Sequence, residues 1–283
     1  YFYQTGLELG MERLARYARD MGFGERPGTG LPAEAAGLVP DKAWHEQHSE
    51  GGFQHGFTVN TAVGQGDVKV SPLQLALAYA AIGNGGSLYF PRLVDRIARP
   101  DGTTLYEFPR TLRRQLPFSP EHIKSVERGL VAVLQGEDGT AKDFALPYVT
   151  AAGKTGTAQV RALDTGRLDN GELAFADRDH AWFVVYAPVS NPRIVVSVFV
   201  EHGGHGASAA APVAMRVVDR YLREVLGWDA AIDLAVDGHD RRRLDALIAQ
   251  KRAASEPAVV PPTLAPTVPN WPVTAPQGSG ATP

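Results

Sequence analysis

Seven consecutive residues, Gly153-Lys154-Thr155-Gly156-Thr157-Ala158-Gln159, bring together a cation, two hydroxyls and two backbone-permissive glycines. Two chemistries use such a set. One is a phosphate loop, in which Gly-Lys-Thr opens a helix whose N–H groups converge on phosphate. That loop needs a glycine five residues before Gly153, where Tyr148 stands, and a helix from the lysine onward, where the residues up to Val160 suit a strand. The other is acyl transfer along a strand edge, whose fixed N–H groups can face a developing oxyanion. Alternation places Thr155 and Thr157 on one face, with hydroxyls suited to a peptide carboxylate, and Lys154 on the other. Lys154 supplies positive charge for that carboxylate, although spacing alone does not explain how its amine reaches the site. Gly156 lets a substrate backbone approach closely. On Lys-Thr-Gly alone, an ordinary strand with one exposed lysine is the better account.

The surrounding elements decide between these readings. Leu7, Met11, Leu14, Ala18 and Met21 recur at helical spacing, and Gly22 and Gly24 stop the run. Residues 25–66, rich in Gly, Pro and His, read as a long, partly ordered connection. Ser71-Pro72 has the form of an N-cap followed by Pro at the first helical position, opening a helix that ends at Gly83-Asn84-Gly85-Gly86. Asp101-Gly102 is a hairpin signal within residues 88–108. Ser119-Pro120 caps a helix through Ile123, Val126, Leu130 and Leu134. Residues 149–160 read as a strand, and 181–187 and 194–200 as two apolar strands joined by a short Pro188–Pro192 turn, hence antiparallel. A helix over about 207–226 is expected to bury Val213, Val217, Tyr221 and Val225. The order strand, strand, strand, helix predicts an α+β fold, an antiparallel sheet with helices packed on it.

Further landmarks share this order: Tyr1-Phe2-Tyr3-Gln4, Gly64-Gln65-Gly66, Ser71-Pro72-Leu73-Gln74-Leu75-Ala76, Gly139-Thr140-Ala141, and His180-Ala181-Trp182-Phe183 leading to Ala187-Pro188. With the Lys154 strand they resemble, from residue 1 to about 226, the transpeptidase domain of class B penicillin-binding proteins. The Tyr-Phe-Tyr and Gly-Gln-Gly most resemble the elongation-type penicillin-binding protein 2 group, with the septal type the nearer alternative. The resemblance implies the penicillin-binding protein/serine β-lactamase-like fold, incomplete on its N-terminal side. It also implies a D,D-transpeptidase that attacks the penultimate D-Ala carbonyl of a peptidoglycan stem peptide ending in D-Ala-D-Ala, and that β-lactams acylate. By the same resemblance Lys154, Thr155, Gly156 and Thr157 bind substrate, and the Thr157 N–H fills one oxyanion-hole position. It further implies a location on the periplasmic face of the bacterial cytoplasmic membrane, with the anchor outside this chain, and a membrane glycosyltransferase of the elongation machinery as partner. No cofactor is implied.

The family also requires Ser-x-x-Lys and Ser-x-Asn or Ser-x-Asp. None of the ten serines here has Lys three places on, or Asn or Asp two places on. In the family the Ser-x-Asn element lies just before the Tyr-Phe-Tyr, so Tyr1 reads as a position inside a domain and this chain as its C-terminal part, lacking a nucleophile. The alternatives are a β-lactam sensor or catalytically dead module of the same fold, and, with less support, a D,D-carboxypeptidase or serine β-lactamase.

Composition fits a folded domain: 283 residues, 44% hydrophobic, 21% charged. A net charge of −3 gives no reason to expect nucleic acid as partner. The absence of cysteine excludes disulfides and thiolate chemistry. His45, Glu46, His48, Glu50 and His55 form a polar cluster without metal-site spacing, and His202 and His205 suit a turn, so no metal is expected. Asp177 to His180 reads as a polar turn, and the aromatics of 182–186 as core. The chain divides into residues 1–228, a charged helical extension over 229–253, and a Pro-rich disordered tail over 254–283.

Overall fold

The computed structural model describes residues 1–160 and 173–228, all within one compact unit, Tyr1–Val236. The expectations for 229–253 and 254–283 lie outside the described residues. The first helical stretch is two helices, α1 (Phe2–Leu9) and α2 (Met11–Asp20), broken at Gly10, whose φ of 76° no continuing helix adopts. The single run expected over Leu7–Met21 is therefore corrected. The supposed connection 25–66 also holds two helices, α3 (Lys42–His48) and α4 (His55–Ala62). Both are too short for a periodicity window to register. Asp41 caps α3 by accepting from the Trp44 N–H at 2.8 Å. Gly6 of α1 is buried against Ala62 of α4, where a side chain would collide with the Ala62 methyl.

Helix α5 (Pro72–Gly83) starts as its sequence predicts. The Ser71 hydroxyl accepts from Gln74 N–H, and the Gln74 side chain accepts from Ser71 N–H at 2.8 Å, a reciprocal capping box. Gln74 is buried, and its amide also donates to the carbonyls of Glu25 and Ala36 at 2.9 and 2.8 Å, anchoring the preceding loop. Short strands follow: β1 (Ser87–Tyr89), β2 (Arg96–Ala98), β3 (Thr104–Glu107) and β4 (Leu112–Gln115). β2 and β3 form the hairpin signalled by Asp101-Gly102, and β1 pairs with β4. Helix α6 (Pro120–Gln135), capped by Ser119, buries Ile123, Leu130 and Leu134 and leaves Val126 outside.

The central sheet is antiparallel, in the order β5 (Ala152–Ala158), β6 (His180–Ala187), β7 (Ile194–Val200). β6 ends at a cis Ala187–Pro188 bond. On one face Phe183 and Val185 pack against Ala210, Ala214, Val218 and Leu222; on the other Tyr186 and Ala152 meet Ile82, Ile123 and Leu130. Each large side chain fully buried here contributes about 1.5–3 kcal/mol.

The last helix, α7 (Ala211–Arg220), is flanked by π-type turns at Gly206–Ala210 and Tyr221–Val225. Its expected stripe is corrected: Val213, Val217 and Val225 are exposed. The buried row runs one residue further along, Gly206, Ala210, Ala214, Val218 and Leu222. Both rows repeat every four residues. The one that starts with small residues wins because only it lets the helix backbone rest on the sheet. Gly206 would, with a side chain, collide with the Trp182 carbonyl.

Candidate active site

β5 is an edge strand among the described residues, and its register with β6 fixes which groups face outward. Thr155 lies opposite Phe183 and Thr157 opposite Ala181, while Lys154 lies opposite Val184, as alternation predicts. Within a strand the N–H and C=O of one residue point to the same side. The Thr157 carbonyl accepts from the Gln65 side chain at 2.8 Å, away from β6, so the Thr157 N–H also faces the open edge. Thr155 has the same phase.

The Lys154 amine reaches the edge by bending over it. The side chain starts on the face that α5 and α6 cover, then curls over the edge, and Nζ donates to the Thr155 carbonyl at 2.8 Å. Partial desolvation at the ammonium lowers its pKa below the ordinary lysine value, although the residue keeps an exposed surface. The cation therefore stands beside the edge-facing amides. Thr155 Oγ1 is 3.0 Å from Thr140 Oγ1, so the turn after α6 brings a second hydroxyl to the strand.

Two residues here were not assigned a site role from sequence. Thr140 and Gln65 stood out only as landmarks; no spacing rule links residue 65 to residue 157. Gly153 has a packing role: a Cβ there would lie 2.6 Å from the Val184 carbonyl oxygen. The Gly156 Cβ would meet the Trp182 Cβ at 3.2 Å, so that glycine fits the neighbouring strand as well as leaving the edge open.

The polar groups beyond the strand build a turn. The Val160 N–H donates to Asp179 Oδ1 at 3.4 Å and the Gly204 N–H to the Asp179 carbonyl at 2.8 Å. His180 Nδ1 accepts from the His202 N–H at 2.9 Å, and His202 Nδ1 donates to the Arg178 carbonyl at 3.1 Å. Phe183 and Tyr186 are core, as expected, with Trp182 partly buried. The histidines of residues 45–55 lie on helices rather than in an irregular stretch. His45 is buried, stacked on Phe57 at 4.1 Å, and His48 stacks on Trp44 at 4.6 Å. Among the described residues no group of acidic or histidine side chains is arranged to hold a metal ion.

An edge strand with outward amides, a lysine folded over that edge and hydroxyls along one face can hold an extended peptide carboxylate and an oxyanion. Residues 1–219 match the family model for the penicillin binding protein transpeptidase domain, and the chain belongs to that family. The relatives found point to its penicillin-binding protein 2 (MrdA) type. The chain is 34% identical over 230 residues to the peptidoglycan D,D-transpeptidase MrdA of Haemophilus influenzae, a match covering 80% of this chain and 35% of the relative. It matches Pseudomonas aeruginosa PBP2, solved in complex with WCK 5153, at TM-score 0.64 and 33% identity, over 78% of this chain and 46% of that one. Helicobacter pylori PBP2, solved in complex with MreC, matches at TM-score 0.65 and 29% identity, over 80% of this chain and 38% of that one. These likenesses establish the α+β transpeptidase fold. The chain spans about a third of the length of the curated relatives it matches.

Proposed function

We propose that this chain carries the substrate strand of a serine-type peptidoglycan D,D-transpeptidase. The carrying observation is the outward-facing Thr157 amide beside the edge-bound Lys154 ammonium. A serine supplied by sequence outside these residues attacks the penultimate D-Ala carbonyl of a stem peptide. The Thr157 N–H receives the tetrahedral oxyanion. Lys154, Thr155 and Thr157 hold the terminal carboxylate, and Gly156 gives the substrate backbone room. The C–N bond to the terminal D-Ala breaks, that amine taking a proton as it leaves. An amine from a neighbouring strand then attacks the ester and restores the serine hydroxyl. A β-lactam presents a carboxylate and a carbonyl to the same groups and acylates the same serine.

The MrdA names of the relatives support the transpeptidase reading. From the family resemblance we further propose a place on the periplasmic face of the bacterial cytoplasmic membrane beside a glycan-polymerising partner. Among the described residues no helix is long and apolar enough to cross a membrane. A second reading, a β-lactam sensor or inactive module of the same fold, would be favoured by loss of Ser-x-x-Lys and Ser-x-Asn from the upstream sequence.

Fluorescent-penicillin labelling followed by denaturing electrophoresis separates the two, with this chain run beside a version extended upstream. Covalent labelling of the extended chain alone, competed by unlabelled β-lactam, supports the transpeptidase. Labelling of neither supports the module. Labelling of the short chain would locate the nucleophile among its own serines and overturn the proposed division of the site.

A further inference from the structure

Gln65 sits in a turn that leaves it little freedom. Gly64 and Gly66 on either side have φ of 75° and 79°, the left-handed region that favours glycine. The Gln65 N–H donates to the Asn60 carbonyl at 2.9 Å, tying the turn to the last residues of α4. The side chain thus projects from a fixed backbone onto β5. Its amide donates to the Thr157 carbonyl at 2.8 Å and accepts from the Gln159 N–H at a longer 3.4 Å. These are the two bonds that one residue of a neighbouring parallel strand would make. On the side where β5 has no strand partner among the described residues, a single side chain replaces one.

We propose that Gln65 is a positioning residue for acyl transfer that acts through Thr157. The inference rests on the transpeptidase reading and deepens it. An oxyanion donor works by standing in place before charge develops, and misplacing a reacting group by 1 Å can cost on the order of a hundredfold in rate. β6 lies on one side of Thr157, with Ala181 opposite it, and bonds the strand without using the Thr157 N–H or carbonyl. Gln65 holds that carbonyl from the other side, fixing the peptide planes that follow the oxyanion amide. The same bonds occupy the edge from the Thr157 carbonyl onward. An extended substrate is thereby confined to the groups of Thr155 and the Thr157 N–H, which sets its register against Lys154.

The test uses the full-length protein with its upstream sequence intact and separates the non-covalent dissociation constant of benzylpenicillin from the first-order acylation rate. Gln65→Glu keeps an acceptor for the Gln159 N–H but loses the donor to Thr157; Gln65→Met keeps length and loses both. Each variant's melting temperature is measured alongside. In whichever variant melts as the parent does, the acylation rate is expected to fall roughly ten- to a hundredfold with little change in the dissociation constant. A parent-like acylation rate in both variants, or a loss confined to the dissociation constant, overturns the inference and leaves the transpeptidase reading standing. Failure of the parent itself to acylate overturns that reading and the inference with it.

Discussion

A Cβ placed on Gly206 would lie 2.5 Å from the Gly156 carbonyl oxygen and 2.9 Å from its amide nitrogen, so the start of the last helix rests directly on the backbone of β5. The contact joins the helix to the site strand without any side chain between them. It needs glycine at 206 for space, since its φ is not in the left-handed region.

Gly206→Ala must therefore push helix and strand apart. Overpacking of this kind costs roughly 1–3 kcal/mol. Chemical denaturation is expected to show that loss, whereas Val213→Ala, on the exposed side of the same helix, should change little. Equal losses from the two would contradict the assigned helix face.

Lys154→Ala removes a cation that the proposed chemistry directs at a substrate carboxylate. A hydrogen bond to a charged group is worth about 1.5–3 kcal/mol, so acylation by a carboxylate-bearing β-lactam should slow tenfold to a hundredfold in the full-length enzyme. Because desolvation lowers the amine's pKa, its charge is lost on the alkaline side sooner than that of a lysine at the usual 10.5. The pH–rate profile should fall correspondingly early. A profile flat to the ordinary lysine range would show that the charge plays no part.

Asp41 accepts from the Trp44 N–H, its largest influence, and pairs with Arg19 at 2.7 Å, and both hold its carboxyl below the usual 3.8. A depressed carboxyl stabilises the fold fully above the unfolded value and loses that contribution as pH falls through the folded one. Asp41→Ala should cost about 0.5–2 kcal/mol at neutral pH. The difference from the parent should shrink below about pH 4, measured by urea titration at a series of pH values.

Tyr79 is pushed up to about 12 by burial, and burial with acceptance by Glu127 and Asp219 raises Tyr186 and Tyr148 above the usual tyrosine range. Groups raised in the fold stabilise it below the unfolded value near 10 and stop doing so as pH climbs through the folded values. Phenolate absorbance should accordingly show a late-titrating class whose ionisation accompanies unfolding. Titration of all nine tyrosines in one step near 10 would be inconsistent with this core.

The sequence was most legible where a local rule was sufficient. The runs at 181–187 and 194–200 are apolar but for Ser197 because packed residues cover both faces of the sheet, and the turn between them is short enough to force antiparallel pairing. Ser71 and Gln74 sit three residues apart and cap their helix by that spacing alone. Legibility failed where a long-range contact decided. Two valine- and alanine-bearing rows compete on the last helix, and only the position of the sheet backbone selects between them. Alternation placed Lys154 on the far face but could not show the amine bending over the edge. Gln65 offered only the glycines beside it as a signal.

The double employment of Gln74 also bears on the order in which the chain assembles. Its cap to Ser71 spans three residues and forms as soon as the first helical turn does, whereas its bonds to Glu25 and Ala36 close loops of 49 and 38 residues. Loop closure carries an entropy cost that grows with length, so the short cap precedes the long ties. A helix start already bearing an oriented amide then presents the loop with a docking point. Gln74→Glu, which keeps the acceptor for the cap and removes both donors, should thus leave the folding rate nearly intact and speed unfolding, the mark of contacts made after the transition state.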